Sequence, residues 1–363
     1  MRIMLVHAPA PIARELHVRG HGVLVCNATQ RSMPDTAREA PESSPVPSVH
    51  FAGDRKLSWN AIRSVASQVR RYRPDILHAF TPASLAWCVL GTSALRRRPN
   101  LISFRGIPRL LRHSDPSEWI SYLSPRVRMH ACESHAVMQS MMRSGIAADR
   151  LRVTYNTAWE FDLSESAEYW RSLWSCSPGD VVVGTVAHVR PIKGIDLLVR
   201  AMLEMTDVPN WKLVIVGKVD DGLVTALTQS PSLQGRVMLT GHLDQAPSAM
   251  QAFDLFVMPS RSEGLCRALI EAMTIGVCPI VSSAGGMKEL VRHERDGLVF
   301  PIDDFMALSL AIRRLIGDHE QRRCFGRSAR EHVQALCTPK VVVDQLEEMY
   351  ACVMKKDWDD EFD

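Results

Sequence analysis

The chain has 363 residues, of which 46% are hydrophobic and 23% charged. This balance is typical of a soluble globular protein, and the length allows two domains with a core each. No apolar run approaches the ~18 residues of a membrane span, and the N-terminal residues predict a strand and a charged helix rather than a signal peptide. The nine scattered cysteines form no C-x-x-C pair, so we expect a reduced cytosolic protein without structural zinc.

The charge is distributed unevenly along the chain. Residues 1–160 contain 22 Lys and Arg against 11 Asp and Glu, a balance of +11, while residues 161–363 carry −8. A basic first half is typical of a protein with an anionic partner, such as a phosphate-bearing acceptor or an acidic membrane surface. A solvated, arginine-rich surface explains the same numbers, and both interpretations stay open. We expect no nucleic-acid partner.

The first half alternates strands with helices, which predicts a parallel sheet. The segment His7–Pro11 after the first strand lacks the G-x-G-x-x-G loop of a dinucleotide-binding domain, so an NAD-dependent oxidoreductase is disfavoured. Segment 29–47 predicts a mobile loop. The predicted strands are 2–6, 23–26, 75–80, 101–104, 128–132 and 151–155, and the predicted helices are 12–18, 59–71, 82–90 and 134–144.

Basic residues follow the strand 101–104. Arg105 and Gly106 end that strand, and segment 107–118 carries Arg109, Arg112 and His113. An arginine could bind an anionic group but cannot act as a general base, since its pKa is too high. We interpret the segment as an acceptor-binding loop. The earlier arginine run at 96–98 is interpreted as a solvated corner.

A second series of strands and helices begins after a polar segment. Residues 161–179 predict an interdomain linker, with Trp170 and Trp174 packed on the second domain. Strand 181–186 leads into a loop that contains Arg190 and Lys193 and ends in glycine before helix 195–205. Lysine and arginine on such a loop suit a diphosphate. Strands 212–217 and 237–240 follow.

The stretch 253–301 organises this second half. A buried strand, 253–259, is followed by Glu263 and Gly264, and from Leu265 the apolar positions recur at helical spacing. Glu263 therefore lies at a strand-to-helix turn and Glu271 two turns along the helix. The N–H groups at such a helix start favour an anion. A phosphate, two carboxylates and a glycine turn are expected to meet there.

The next unit repeats this plan. Strand 277–282 leads to the turn Gly285-Gly286 and to helix 287–293, which carries Glu289 in its first turn. Helices at 307–316, 321–336 and 339–354 and an acidic tail at 357–363, which predicts disorder, complete the chain.

Four motifs in this stretch carry a resemblance to a known family. They are P-S-R-S-E-G-L at 259–265, I-E-A-M at 270–273, G-V-C-P-I-V at 276–281 and G-G-M-K-E-L-V at 285–291. They resemble the donor-binding signature of retaining glycosyltransferases of family 4. The resemblance implies an α/β GT-B fold, in which two Rossmann-like domains face each other across a cleft and the C-terminal helix crosses back to the first domain. It predicts an acceptor-side domain at 1–160, a nucleotide-sugar-binding domain at 180–337 and a crossing helix at 338–356.

The resemblance also implies roles for the charged residues of the second domain. In the family, a lysine at the position of Lys193 and an arginine five residues earlier neutralise the nucleotide diphosphate. The earlier position holds His188 here, so either Arg190 substitutes or His188 makes a weaker phosphate contact. Glu263 would bind donor-sugar hydroxyls and Glu271 the nucleotide ribose. We therefore expect Glu263, Lys193 and Arg190 to be the catalytic residues.

Backbone contacts to the donor are implied at two places. The turn Gly264, Leu265 and Cys266 would contact the phosphates, and Gly241 with His242 would meet the nucleotide base.

The acceptor side departs from the family pattern. A histidine is common just before the glycine where this chain has Arg105. We place Arg105, Gly106 and Arg109 on the acceptor side.

These observations predict a retaining glycosyltransferase that needs neither metal nor cofactor. It would move a sugar from a nucleotide-diphosphate donor to a glycan or lipid-linked acceptor, in polysaccharide or lipopolysaccharide synthesis. We expect a cytoplasmic protein with peripheral contact at the inner membrane face. The alternatives are a sugar-nucleotide epimerase or phosphorylase of the same fold, and a catalytically silent GT-B protein that binds a ligand or partner.

Overall fold

The computed structural model describes residues 1–29, 45–53, 55–157, 161 and 163–355. Two compact units divide the chain: Met1–Thr157 with the residues from Pro339 onward form the first, and Ala158–Thr338 the second. Most of the predicted mobile loop at 29–47 and the predicted acidic tail at 357–363 lie outside the described residues.

A parallel sheet forms the middle of the first unit. Within the described residues it has seven strands in the order β3-β2-β1-β4-β5-β6-β7. The strands are β1 Arg2–Val6, β2 Gly22–Thr29, β3 Ser48–Ala52, β4 Ile76–Ala79, β5 Asn100–Arg105, β6 Val127–Cys132 and β7 Leu151–Val153. Residues 3–6 are fully buried, as a central parallel strand covered on both faces requires.

Helices cover both faces of this sheet. They are α1 Ala10–Val18, α2 Trp59–Tyr72, α3 Pro82–Gly91, α4 Pro116–Trp119 and α5 His135–Arg143. Because side chains alternate along a strand, Met4 and Val6 pack with α2, α3 and α5, whereas Ile3 and Leu5 pack with α1 and the C-terminal helix. Side-chain caps begin α2, α3 and α5, and they are Ser58, Thr81 and the predicted Ser134.

The second unit is built in the same way. Its described strands form a parallel sheet of six in the order β10-β9-β8-β11-β12-β13. The strands are β8 Val181–Val186, β9 Trp211–Val216, β10 Val237–Gly241, β11 Leu255–Met258, β12 Cys278–Ser282 and β13 Leu298–Phe300, and the helices are α6 Ala167–Leu173, α7 Ile195–Leu203, α8 Gly222–Thr228, α9 Ala246–Met250, α10 Arg267–Ile275, α11 Met287–Leu290, α12 Phe305–Gly317 and α13 His319–Cys337. Both units are therefore Rossmann-like, as predicted.

The strand order of each sheet reverses at one place. In the first unit β1 lies beside β4, and in the second β8 lies beside β11. Loops at the carboxyl ends of strands diverge at such a reversal and leave a crevice where ligands bind. The reversal in the second unit places the loop after β8 beside the loop after β11.

The last helix, α14 Pro339–Lys355, packs on the first unit, which confirms the predicted return of the chain. Val342, Leu346 and Tyr350 are buried against the face of the sheet that α1 also covers. The Tyr350 hydroxyl lies 2.8 Å from Nδ1 of His78 on β4. On the surface, the Arg19 guanidinium after α1 bonds the carboxylates of Asp344 and Glu347, each at 2.6 Å.

Several segments differ from their predictions. Strand β3 was not expected, because it is a half-exposed edge strand with a weak apolar signal. The segment 161–179, predicted as a linker, contains α6 within the second unit, and the predicted packing of its tryptophans is confirmed by the 5.7 Å between the rings of Trp174 and Phe253. The helix predicted at 287–293 is the single turn α11, since Val291 is already extended.

Candidate active site

The loop after β8 carries the basic residues of the second unit. It forms a 3-10 turn at Pro191–Lys193 and ends at Gly194, whose φ of 65° is left-handed. A Cβ at Gly194 would lie 2.1 Å from the carbonyl oxygen of Pro259. Only glycine therefore allows the β8 loop to approach the β11 loop this closely.

The two loops are joined by an ion pair. Nζ of Lys193 lies 2.6 Å from Oε2 of Glu263, and both side chains are largely buried. The Ser260 hydroxyl donates to the same carboxylate oxygen at 3.2 Å. A lysine ammonium has three donor positions and a carboxylate about four acceptor positions. Both groups therefore keep capacity for a ligand while they hold each other in place.

The predicted glycine turn lies directly against Glu263. Gly285 has a φ of 53°, and a Cβ there would lie 1.6 Å from the carbonyl oxygen of Glu263. The N–H of Gly286 donates to the carbonyl of Gly264 at 2.9 Å. The motif at 285–291 thus positions the backbone of the Glu263 turn, which explains why the two glycines accompany the carboxylate in sequence.

A second ion pair fixes the β11 loop. The Arg261 guanidinium bonds both carboxylate oxygens of Asp196 on α7, each at 2.8 Å, and Asp303 at 2.6 Å. Burial alone would raise the pKa of Asp196, but the hydrogen bonds and charge of Arg261 outweigh it, so the pKa lies below its ordinary value. In the sequence, Arg261 is only a part of the motif at 259–265, with no partner indicated. Nothing in the spacing of residues 65 positions apart indicates the pair.

Helix α10 begins directly after the Glu263 turn. No side-chain cap is found at its start among the described residues, and a helix start of this kind favours an anion. Leu265 and Cys266 are buried there, and burial raises the pKa of the Cys266 thiol to about 12. Cys266 is therefore protonated at neutral pH, and its backbone rather than its thiol is available to a ligand.

Glu271 lies on α10 and is 5% exposed. Its carboxylate accepts a hydrogen bond from Nε of Arg267 at 2.8 Å. Burial raises the pKa of Glu271, and the charge and hydrogen bond of Arg267 offset only part of that rise.

His188 and Arg190 are the two candidates for the cation that would neutralise the diphosphate beside Lys193, and their surroundings differ. His188 is engaged, because its Nε2 lies 2.6 Å from Oδ2 of Asp220. Arg190 is exposed, and its side chain has no hydrogen bond or ion pair with any residue that the structure describes. Arg190 is therefore the freer of the two.

Gly241 ends β10, and His242 follows it. Gly241 has a φ of 71° with open space around its Cα, and its carbonyl accepts from the N–H of Gly217 at 2.7 Å. The His242 side chain is 65% exposed beside Asp244. Their backbone is accessible, as contact with a nucleotide base would require.

The predicted acceptor-side residues lie in the first unit. Arg105 ends β5, is 4% exposed and donates to the carbonyl of Arg109 at 2.7 Å. A Cβ at Gly106 would lie 2.7 Å from the carboxylate of Glu133. Arg109 bonds the buried Glu118 at 2.8 Å. The sequence did not single out either carboxylate.

Comparison with known proteins decides the family. Residues 11–157 match the profile described as Glycosyltransferase Family 4, and residues 174–332 match Glycosyl transferases group 1. A GDP-mannose-dependent alpha-mannosyltransferase of Mycolicibacterium smegmatis is 30% identical over an alignment of 360 residues. The alignment covers 93% of this chain and 91% of the relative. The chain belongs to glycosyltransferase family 4.

Two further relatives of this family 4 glycosyltransferase are informative. The capsular polysaccharide biosynthesis glycosyltransferase CapM of Staphylococcus aureus is 24% identical over 305 residues, 78% of each chain. The crystal structure of HepE from Anabaena in complex with UDP and glucose has a TM-score of 0.79 at 21% identity and covers 97% of this chain and 99% of its own. The likeness to HepE shows the fold, and the transferase class predicted from the motifs is confirmed.

The segment after β1, which lacks a G-x-G-x-x-G loop, begins in this glycosyltransferase with His7, whose φ of 60° is left-handed. The Nε2 of His7 accepts the N–H of Ala28 at 2.8 Å, so its proton is on Nδ1, 3.3 Å from the Thr81 hydroxyl. Burial lowers the pKa of His7 to about 4. With both nitrogens engaged, His7 is a structural part of this loop, which sequence reasoning missed.

Within the residues that the structure describes, this glycosyltransferase has no group of three or more His, Cys, Asp or Glu side chains placed to hold a metal ion. Nor does any helix in the described ranges combine the length and apolar character needed to cross a bilayer.

Proposed function

We propose that this enzyme transfers a sugar from a nucleotide-diphosphate donor with retention of the anomeric configuration, and that it does so without a metal ion. The observation that carries the proposal is the contact between Lys193 and Glu263 at the strand reversal of the second unit. A cation for the diphosphate and a carboxylate for the sugar stand side by side there, next to the start of α10.

The proposed donor contacts follow from these positions. Lys193 and Arg190 neutralise the diphosphate, with the N–H groups of Gly264 and Leu265 as further donors. We favour Arg190 over His188 because Asp220 already engages His188. Arg261 is excluded from this task, since its guanidinium is bonded to Asp196 and Asp303.

The chemistry proposed for this arrangement needs no protein base. The bond between the anomeric carbon and the phosphate oxygen breaks, and a bond from the acceptor oxygen to the same carbon forms on the same face. The departing phosphate accepts the proton of the acceptor hydroxyl. Lys193 and Arg190 stabilise the charge that develops on the leaving group, while Glu263 holds the sugar hydroxyls and Glu271 the ribose.

The relatives guide the choice of donor and setting. One relative is GDP-mannose-dependent, and HepE binds UDP and glucose. We propose GDP-mannose as the donor, and a glycan or lipid-linked acceptor in polysaccharide or lipopolysaccharide synthesis. The name of CapM, which refers to capsular polysaccharide biosynthesis, supports the polysaccharide setting. A cytoplasmic location with peripheral membrane contact is consistent with the basic first half of the chain.

Thermal-shift titration with GDP, UDP, ADP and CMP, with and without Mg²⁺, tests the donor site. We expect GDP to raise the melting temperature most, and equally in EDTA, because a ligand that binds the folded state stabilises it. Nuclear magnetic resonance analysis of the product then shows the anomeric configuration. Loss of turnover in EDTA would refute metal independence, and an inverted product would refute retention.

Incubation of the donor without an acceptor separates the remaining alternatives. An epimerase would convert the sugar nucleotide alone, and a phosphorylase would require inorganic phosphate. A transferase requires the acceptor.

A further inference from the structure

The first unit contains a basic pocket near the amino ends of β4 and β5. It has a volume of about 520 Å³ and lies between the end of α2 and the loop before β5. Four arginines line it, Arg70, Arg73, Arg96 and Arg97. Ligand crevices of parallel sheets lie at the carboxyl ends of the strands. This arginine pocket is therefore at the opposite end of the sheet from the residues proposed for the acceptor side.

The guanidinium groups of the four arginines are free to bind an anion. All four side chains are exposed, and none has a hydrogen bond or ion pair with a residue that the structure describes. The neighbouring Arg98 differs, since it donates to the carbonyls of Leu95 and Ser93 at 3.2 and 3.1 Å. Asp75 lies nearby in the chain, but it accepts the backbone N–H of Arg2 at 2.8 Å. No carboxylate is present among the described residues of the pocket lining.

The arginine pocket also has an apolar side. Val69, Pro74 and Leu95 are buried in its lining. Guanidinium groups bind carboxylates and stack on aromatic rings, and an apolar lining accepts such rings. A segment that carries both carboxylates and aromatic side chains therefore fits this pocket.

The helix α14 ends beside the arginine pocket. The side-chain amide of Asn100 donates to the sulfur of Met354, in the last turn of α14, at 3.5 Å. Asn100 directly follows Pro99, which is part of the pocket lining. The chain that continues from Lys355 therefore starts next to the pocket.

The residues that follow α14 complement the pocket in charge. Residues 357–363 contain five carboxylates and two aromatic rings. They are Asp357, Asp359, Asp360, Glu361 and Asp363, with Trp358 and Phe362. Fully extended, residues 356–363 span about 26–29 Å, which is enough for several of these side chains to reach the arginines. An acidic segment of this composition can order on a surface of opposite charge.

We propose that residues 357–363 dock in the arginine pocket of their own chain. Their carboxylates pair with the four arginines, and their aromatic rings pack on the apolar lining. The docked segment fastens the end of α14 to the first unit. The arginine run at 96–98, which the sequence indicated as a solvated corner, thereby gains a partner within the chain. This inference is independent of the proposed function.

Cleavage of the full chain after Glu361 by a glutamyl endopeptidase tests the proposal. Mass spectrometry follows the release of the last two residues, and a synthetic peptide of residues 354–363 gives the rate for a segment that is not docked. The pocket variants are Arg70→Gln and Arg97→Gln. All variants keep the cleaved sequence, and thermal melting shows that each is folded.

The matched control is Arg63→Gln. Arg63 is exposed on α2 like Arg70, about two turns away from it, and is not part of the pocket lining. The two substitutions therefore remove the same charge from the same helix, one inside the pocket and one outside it.

At low salt, we expect the wild-type chain to be cleaved about tenfold more slowly than the peptide, because several exposed ion pairs act together and proteolysis follows the population of the released segment. Arg70→Gln and Arg97→Gln should each be cleaved about threefold faster than wild type, and Arg63→Gln at the wild-type rate. At high salt every chain should approach the peptide, since salt screens exposed charges.

Three results would overturn the proposal. Cleavage of the wild-type chain at the peptide rate at low salt would show that the segment is not docked. Equal acceleration by Arg63→Gln and Arg70→Gln would show that net charge, and not the pocket, is responsible. Protection that increases with protein concentration would place the segment on a second copy of the chain.

Discussion

The side-chain amine of Lys193 lies 2.6 Å from the carboxylate of Glu263, although 70 positions separate them in the chain. Each residue follows a different strand, and the two strands are neighbours where the order of the sheet reverses. The ion pair therefore joins two loops that the fold brings together. Under the proposed function, a diphosphate that binds Lys193 would meet a carboxylate already fixed beside it.

Substitution of this pair tests the donor site. We expect Lys193→Ala to lower kcat/KM about 100-fold or more, because a preorganised cation at the leaving group is lost, and to weaken nucleotide binding as well. Glu263→Gln should lower turnover similarly while nucleotide affinity changes little, since Glu263 is assigned to the sugar. Steady-state kinetics and calorimetric titration with the nucleotide measure both effects.

The control for this pair is Arg323→Ala, an exposed cation on α13. It should leave both kinetics and nucleotide binding at wild-type values. Near-wild-type turnover in Lys193→Ala would show that the donor site is elsewhere.

Alanine substitutions at two glycines with left-handed backbone separate the effect of backbone strain from the effect of a steric clash. Gly235 has a φ of 73° with open space around it, whereas a Cβ at Gly285 would lie 1.6 Å from the carbonyl of Glu263. We expect Gly235→Ala to lower the free energy of unfolding by about 1–2 kcal/mol through backbone strain. Gly285→Ala should cost more and should also abolish the thermal shift by nucleotide, because the Glu263 turn must move.

Denaturant titration of the two variants measures their free energies of unfolding, and nucleotide titration measures their thermal shifts. Equal stabilities, or an unchanged nucleotide shift in Gly285→Ala, would mean that the turn adapts without moving Glu263.

The Arg261–Asp196 pair predicts a pH-dependent contribution to stability. We expect Asp196→Asn to lower the free energy of unfolding by about 1–3 kcal/mol at neutral pH. The pKa of Asp196 is lower in the folded protein, so its stabilisation is present above the unfolded-state pKa of about 4 and is lost as the pH falls through the folded value. The difference between variant and wild type should therefore shrink below about pH 4.

Asp207→Asn is the matched control, because Asp207 makes a bidentate pair with Arg313, at 2.7 and 2.8 Å, on the surface. Solvent screens that pair, so its loss should have a much smaller effect. An equal effect of the two substitutions, measured by urea unfolding at several pH values, would contradict the role of burial.

Buried histidines predict acid sensitivity of the first unit. Burial lowers the pKa of both His78 and His130 to about 3, from an ordinary value of 6.5. The unfolded chain therefore binds more protons between these values, and stability falls as the pH drops below about 6.5, by about 1.4 kcal/mol per pH unit for each histidine.

His78→Gln should reduce this slope by the share of one histidine, while His319→Gln, which removes an exposed histidine, should not. Unfolding free energies measured from about pH 6 to pH 4 decide the matter. A slope that is the same in His78→Gln and wild type would refute the assignment.

The positions of the residues proposed for the donor site could be predicted from the sequence because these residues are local in the chain. Glu263, Gly264 and the Gly285-Gly286 turn all lie within one stretch whose apolar periods fix the strand and helix around them. The position of Lys193 could be predicted for the same reason, since Lys193 lies at the end of a glycine-terminated loop after a buried strand. The Arg261–Asp196 pair was not found, because it depends on tertiary contact between a turn and a helix that no periodicity links.

The surroundings of the residues proposed for the acceptor side were harder to predict for a physical reason. Arg105 and Arg109 stand out as cations after a strand, but the carboxylate of Glu118 is reached only through folding of a separate loop. From the sequence, His7 was interpreted only as part of a segment that lacks the G-x-G-x-x-G loop. Its left-handed backbone and two engaged nitrogens are set by contacts with Ala28 and Thr81, which are 21 and 74 positions away.

The return of α14 to the first unit has a consequence for biosynthesis. Residues Ala158–Thr338 are translated before α14 exists, so the second unit can complete its fold on the ribosome while the first still lacks the helix that covers one face of its sheet. Until Val342, Leu346 and Tyr350 arrive, that apolar face is exposed and available for aggregation. A nascent chain that ends before Pro339 should therefore require a chaperone, whereas one that ends after Lys355 should not.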